Sequence, residues 1–123
     1  MEYCAKQLVD SAYRVHKELG PGLLESVYVY CLLEELKIHG VKALQEVQLP
    51  LFYRGTKLEK DFRLDILLED EIIIEIKAVE ILLPVHTAQL ISYLKISNKR
   101  LGFLINFNVP VLKDGIHRYV NNF

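Results

Sequence analysis

The fold class this sequence predicts is α/β, a mixed central sheet flanked by helices, and three observations predict it. Two segments of helical period open the chain, the period changes to two across its middle, and a further helix separates two apolar runs. The order is helix, helix, three strands, helix, strand. A chain of 123 residues has room for one hydrophobic core, so positions 1–123 are read as one domain.

In the first segment Leu8, Ala12, Val15 and Leu19 recur at intervals of four, three and four, which makes one face of a helix apolar. Gly20-Pro21-Gly22 stops it, because glycine suits a helix C-cap and proline cannot continue the hydrogen-bond ladder. A second helix is expected over residues 23–38, with Leu24, Tyr28, Cys31 or Leu32, and Leu36 facing inward, and Gly40 ending it. Val47, Leu49, Leu51 and Tyr53 then alternate with other residues, and Arg54-Gly55 is a turn into another extended stretch. In that stretch Phe62, Leu64, Ile66 and Leu68 alternate with Arg63, Asp65 and Leu67. After Glu69-Asp70-Glu71, the run Ile72-Ile73-Ile74-Glu75-Ile76-Lys77 reads as a central strand covered on both faces. Pro84 suits the first turn of a third helix over residues 85–97. Residues 100–107 read as a buried strand, and Ile116–Val120 as a last short strand or irregular tail.

Composition bounds the function. A content of 51% hydrophobic and 25% charged residues is that of an ordinary soluble globular protein. There is no apolar run of membrane-spanning length, and MEYCAKQLVD lacks the basic start and apolar core of a secretory signal. Cys4 and Cys31 are too few for a disulfide scaffold and read as buried thiols in a reducing compartment, which makes a cytoplasmic location the expectation. The 15 Lys and Arg against 16 Asp and Glu leave a net charge of −1, which argues against tight nonspecific DNA binding by the monomer. Basic residues concentrate only modestly, at residues 54–63 and 95–100, and Glu69, Asp70 and Glu71 offset part of that.

Chemistry is suggested by the strands. Glu75 and Lys77, two apart on one strand, point the same way, opposite to Ile74 and Ile76. Asp65 points away from the apolar set Phe62, Leu64, Ile66 and Leu68. Parity decides whether it meets Glu75. A three-residue connection at Glu69-Asp70-Glu71 pairs Leu68 with Ile72 and sets Asp65 opposite Glu75, with Cβ atoms about 5 Å apart. A two-residue loop would put them on opposite faces, so an odd-length connection or a compensating bulge is expected. Two partly desolvated carboxylates repel unless a proton or cation intervenes, and an oxygen-preferring divalent ion, Mg²⁺ or Mn²⁺, is the natural partner. Such an ion can bind a phosphate and lower the pKa of water, while Lys77 can orient the attacking water or offset charge on the phosphate. The plain alternative is a Glu–Lys pair on a half-exposed strand. The Ile72-Ile73-Ile74 run opposes it, since a strand covered on both faces seldom carries unpartnered charges.

On the third helix His86, Gln89 and Tyr93 form one polar stripe, beside apolar Val85, Ala88, Leu90, Ile91 and Leu94. The stripe is directed either at a site or at backbone groups of the neighbouring strand. Glu25 lies in the first turn of the second helix, where an acidic residue complements the helix dipole. His16 reads as an ordinary packing or surface histidine.

Four ordered stretches, VHKELGPGLLESVY, RLDILLEDEIIIEIKAVE, PVHTAQLISYLK and RLGFLINFNVPVLKDGIHR, together resemble the GxxExxY family, small proteins placed in the PD-(D/E)XK nuclease superfamily. The family's name-giving motif stands here as Gly22, Glu25 and Tyr28, and the similarity runs over nearly the whole chain. The resemblance implies a PD-(D/E)XK nuclease-like core, also called restriction-endonuclease-like. It implies catalytic Mg²⁺ held by Asp65 and Glu75, with the Ile76 carbonyl as a further ligand, and water activation by Lys77. It also brings Glu25 into the acidic cluster and assigns substrate positioning to Gln89 and Tyr93. The expected function is Mg²⁺- or Mn²⁺-dependent hydrolysis of phosphodiester bonds in DNA, with RNA as the secondary substrate. A homodimer or a partner protein would then add the basic surface that the chain lacks. The alternative is a non-catalytic nuclease-fold module that binds a protein or nucleic-acid partner.

Overall fold

Leu8, Ala12 and Val15 are buried along one side of α1 (Glu2–Leu19), as their spacing requires. The computed structural model describes residues 1–121, so the last two positions of the 1–123 unit lie outside the described residues. Gly20, at φ 68°, ends the helix, and its N–H returns to the His16 carbonyl. The second helix, α2 (Glu25–Ile38), starts two residues later than expected. Leu24 is its N-cap in extended backbone and is 74% exposed rather than inward-facing, whereas Tyr28, Leu32 and Leu36 are buried and Cys31 is half-buried.

Five strands follow: β1 (Ala43–Tyr53), β2 (Thr56–Leu68), β3 (Ile72–Lys77), β4 (Leu101–Asn106) and β5 (Ile116–Val120). They form one sheet in chain order, antiparallel throughout except for the parallel pair β3–β4. The parallel pair needs a crossover, and α3 (Pro84–Ser97) supplies it. A 3₁₀ turn at Leu112–Gly115, absent from the sequence reading, leads into β5.

The sheet is covered on both faces. Ile72, Ile74, Ile76, Phe103 and Ile105 pack with α1 and α2, while Ile73 and Leu104 pack with Leu90, Tyr93 and Leu94 of α3. This alternation within β3 and β4 explains the unbroken apolar runs. Gly102 lets α3 approach closely, since a Cβ there would come within 3.0 Å of the Leu90 side chain. The outer positions of α3, Val85 and Ala88, are exposed instead of contributing to the core.

One sequence expectation fails in an instructive way. Phe62, Leu64, Ile66 and Leu68 do not share a face: Ile66 and Leu68 pack on the α1–α2 side, and Leu64 and Phe62 on the α3 side. The switch falls at Asp65. The register of β1 with β2 runs unbroken around this point except at Glu46 and Asp65, and Glu46 takes φ 52°, outside strand geometry. The hairpin therefore rotates about Asp65 as it leaves the core.

No described helix is long and apolar enough to cross a membrane. Cys4 and Cys31 are free and only half-buried, packing at the margin of the core.

Candidate active site

The connection between β2 and β3 is the three-residue Glu69-Asp70-Glu71, and Leu68 stands opposite Ile72. Glu69 and Asp70 both take positive φ, 50° and 57°, and the Glu71 N–H returns to the Leu68 carbonyl. Non-glycine residues in this region carry strain. Surrounding bonds hold them there: Glu69 accepts the Lys42 N–H at 2.7 Å, and Lys99 Nζ donates to the Asp70 carbonyl at 2.7 Å.

From Leu68 and Ile72 the register continues through Leu67↔Ile73 to Ile66↔Ile74, and the next residues in line are Asp65 and Glu75. There the strands part, and the two side chains take over from the backbone ladder. The Asp65 N–H donates to Glu75 Oε2 at 2.9 Å, and the Ile76 N–H donates to Asp65 Oδ2 at 2.9 Å. Each carboxylate thus accepts from the opposite strand's backbone at the fork, and the two are held face to face.

Their electrostatics follow from this placement. Glu75 is only 4% exposed. Desolvation, and then the negative charge of Asp65, push its carboxyl up to about 8, against the opposing pull of the Asp65 N–H and Lys77. Burial also raises Asp65, with the Ile76 N–H and the cations Lys77 and Arg63 opposing. Lys77 is half-buried at the end of β3 and bears electrostatically on both acids.

Glu25 is exposed at the first position of α2, yet it faces the same place. With Ser26, Gln45, Glu46, Arg63 and Asp65 it lines an open cleft, and its charge adds to the upward shift of Glu75. Tyr28 explains this position. Its hydroxyl donates to the Gly20 carbonyl at 2.6 Å and accepts the Leu23 N–H at 3.1 Å, and its ring stacks on Phe107 at 4.6 Å. The Gly22–Glu25–Tyr28 spacing is thus a tied turn that presents an acid to the fork. Tyr28→Phe leaves two backbone groups without this partner. It is expected to cost about 1–3 kcal/mol of stability, read as a lower thermal midpoint with secondary structure retained.

The stripe on α3 divides. Tyr93 is buried, its ring 5.3 Å from Phe62, and its hydroxyl is raised by burial and by the charges of Glu75 and Asp65, which places it beside the acids. His86 Nδ1 accepts the Leu83 N–H at 3.0 Å and caps the helix, a structural task. Gln89, one helical turn before Tyr93 on α3, is exposed. His16 donates from Nε2 to the Val109 carbonyl at 2.8 Å, a packing role.

Asn106 has no place in the sequence reading. It is 3% exposed at the end of β4, accepts the N–H groups of Val79 and Asn108, and donates to the Val79 carbonyl. These bonds hold the chain just after Lys77. An asparagine that ends an apolar strand is the only sequence signal for it.

Among the described residues no three His, Cys, Asp or Glu side chains form a ready-made metal cage. What the fork offers is two carboxylates, Glu75 buried and Asp65 half-buried, a hard oxygen set suited to an ion that keeps part of its water shell.

No curated protein matches the chain. Among solved structures, the crystal structure of SSO0001 is similar at 25% identity and a TM-score of 0.54, covering 80% of this chain and 50% of that one. The chain thus spans about half the length of that structure. A family model for the PD-(D/E)XK nuclease superfamily matches residues 2–119, a span that holds α1, the fork and most of β5. The chain belongs to the PD-(D/E)XK nuclease superfamily.

Proposed function

We propose that this chain is a Mg²⁺- or Mn²⁺-dependent nuclease that hydrolyses phosphodiester bonds of DNA first and RNA second. The observation that carries the reading is the mutual docking of Asp65 and Glu75 where β2 and β3 part. Superfamily membership implies a nucleic-acid substrate in general terms, and the finer placement in the GxxExxY group rests on Gly22, Glu25 and Tyr28.

Asp65 and Glu75 would hold the ion, with the Ile76 carbonyl and Glu25 as further donors. The donor chemistry fits: all are oxygens, and burial together with the negative charge of Asp65, which raise Glu75, are what a bound cation would offset. A bound ion supplies Lewis acidity toward the phosphate and a lower pKa for water. Lys77 lies on the face of Glu75 and would hold the attacking water or offset charge on the phosphate. Tyr93 and Gln89 would line the substrate side. The free thiols Cys4 and Cys31 suit a reducing, cytoplasmic setting.

Purified protein with Mg²⁺ or Mn²⁺ and a panel of DNA and RNA substrates is expected to cleave. Lys77→Ala is expected to lose on the order of 10²–10³ in rate. Equal cleavage by wild type and Lys77→Ala would mark a contaminant and remove the reading. The net charge of −1 favours a second reading, a nuclease-fold module that binds without cutting. Calorimetry with Mn²⁺ separates the two, because the enzyme must take up the ion and lose it in Asp65→Asn.

A further inference from the structure

The outer part of the β1–β2 hairpin is left unexplained by the fork. Residues 52–61 are all exposed. At the tip the adjacent rings Phe52 and Tyr53 are 59% and 64% exposed. Neighbouring aromatic rings on a projecting turn are costly to keep in water unless something covers them. The segment also overlaps one of the two stretches where basic residues concentrate. Over residues 54–63, Arg54, Lys57, Lys60 and Arg63 stand against Glu59 and Asp61, an excess of two positive charges in a protein whose total is −1.

Register gives these groups a direction. Phe52 lies opposite Lys57, Pro50 opposite Asp61 and Gln48 opposite Arg63. The register shifts between Pro50 and Phe52, but Phe52, Pro50 and Gln48 alternate along β1 and cross-strand partners share a face, so Phe52, Lys57 and Arg63 look the same way, with Asp61 between them. Arg63 lines the cleft together with Asp65 and Glu25, and its link to Glu46 is a loose 3.8 Å contact between exposed groups. A line of cation, ring and cation therefore runs from the tip to the acids, about 20 Å from Lys57 to Arg63.

We propose that this hairpin is an arm that grips an unpaired nucleic-acid strand and feeds it into the cleft at Asp65. The purpose of the arm rests on the nuclease reading above. Cations would follow the phosphates, Phe52 would stack on a base along the line to the cleft, and Tyr53, on the opposite face of β1, would stack on a base that wraps round the tip. Stacking selects an unpaired strand, because the base faces of a duplex are already covered by their neighbours.

The test is oligonucleotide binding by fluorescence anisotropy in EDTA, where no cleavage intervenes. Wild type is expected to bind a labelled unpaired strand more tightly than the same sequence in a duplex. Phe52→Ala with Tyr53→Ala is expected to weaken that binding roughly ten-fold or more. Arg54→Ala and Lys57→Ala should each flatten the dependence of log affinity on log salt by about 0.7. All four positions are exposed, and circular dichroism checks that the variants remain folded. Unchanged affinity in the arm variants, a preference for duplex, or no binding by wild type would each overturn the proposal. So would a dimer that dissociates on Phe52→Ala while oligonucleotide affinity stays the same, since the rings would then belong to a second copy. The two readings fail separately. Arm-dependent binding without any cleavage in Mn²⁺ removes the nuclease alone, and cleavage of unpaired strands that is indifferent to the arm variants removes the arm alone.

Discussion

Asp65→Asn is expected to lower cleavage by on the order of 10³-fold while leaving the fold intact. The substitution separates charge from geometry. An asparagine oxygen can still accept the Ile76 N–H that Asp65 Oδ2 accepts, and the N–H of residue 65 still donates to Glu75. What disappears is one of the two carboxylates that can ionise toward a cation at the fork. Mn²⁺ uptake should therefore fall with activity, and Glu75, relieved of its neighbour's charge, should ionise at lower pH than the about 8 of the wild type. Asp65→Ala is a different experiment, because it also removes the acceptor for Ile76 and should cost about 1–3 kcal/mol of stability. If Asp65→Asn cleaved at the wild-type rate, the fork would be a structural knot and the site would have to be sought elsewhere.

The contrast between the two substitutions shows what the fork does in the fold. Two strands can part inside a protein only if the backbone groups they abandon find partners. Here the partners are the carboxylates themselves, so the acids are held by the same bonds that let β2 and β3 diverge. Burial on the side of β3 keeps Glu75 from water, while the cleft beside Glu25 and Arg63 leaves Asp65 a way out to it. The arrangement combines a rigid floor with an open mouth, which a site for a polymeric substrate needs.

How much of this is legible in sequence depends on the range of the interaction. The approach of Asp65 to Glu75 is legible because side chains alternate with period two and the three residues Glu69-Asp70-Glu71 set the parity. The turn of β2 at Asp65 is not, because it is signalled by Glu46, a non-glycine residue at φ 52° with nothing in its side chain to announce it. Tyr28 shows as an inward residue, but its bonds to Gly20 and Leu23 depend on how the Gly20-Pro21-Gly22 turn folds back. Asn106 reaches Val79 across 27 positions, a pairing that no local period encodes. Leu24 looks inward by spacing and ends outside, because the helix begins one residue after it. Gln89 shares a helical stripe with Tyr93 by spacing, yet it is exposed where Tyr93 is buried, because burial along α3 depends on which strand residues pack against each turn.

Glu75→Gln is expected to make the metal-free protein more stable at pH 8 and to change it little near pH 4.5. Glu75 rises from an ordinary 4.5 to about 8 in the folded chain, so the folded state holds a proton that the unfolded state releases in between. Its contribution is fully present below about 4.5, declines as pH rises through the interval, and is exhausted above about 8. A shift of that size corresponds to at most ~5 kcal/mol across the window. Asp65 shifts in the same upward sense and adds to the decline. Thermal unfolding of wild type in EDTA should accordingly show a falling midpoint between pH 5 and 8, and Glu75→Gln a flatter one. Metal reverses the slope, because a cation binds the ionised pair and stabilises what repulsion weakens. Calorimetry at pH 7 in buffers of different ionisation enthalpy should detect close to one proton, ~0.9, released per Mn²⁺ bound by wild type and almost none by Glu75→Gln. A wild-type midpoint that tracks Glu75→Gln across the whole range would mean that Glu75 is ionised throughout in the absence of metal. The fork would then already contain a counter-charge, and the case for a cation there would lose its electrostatic basis.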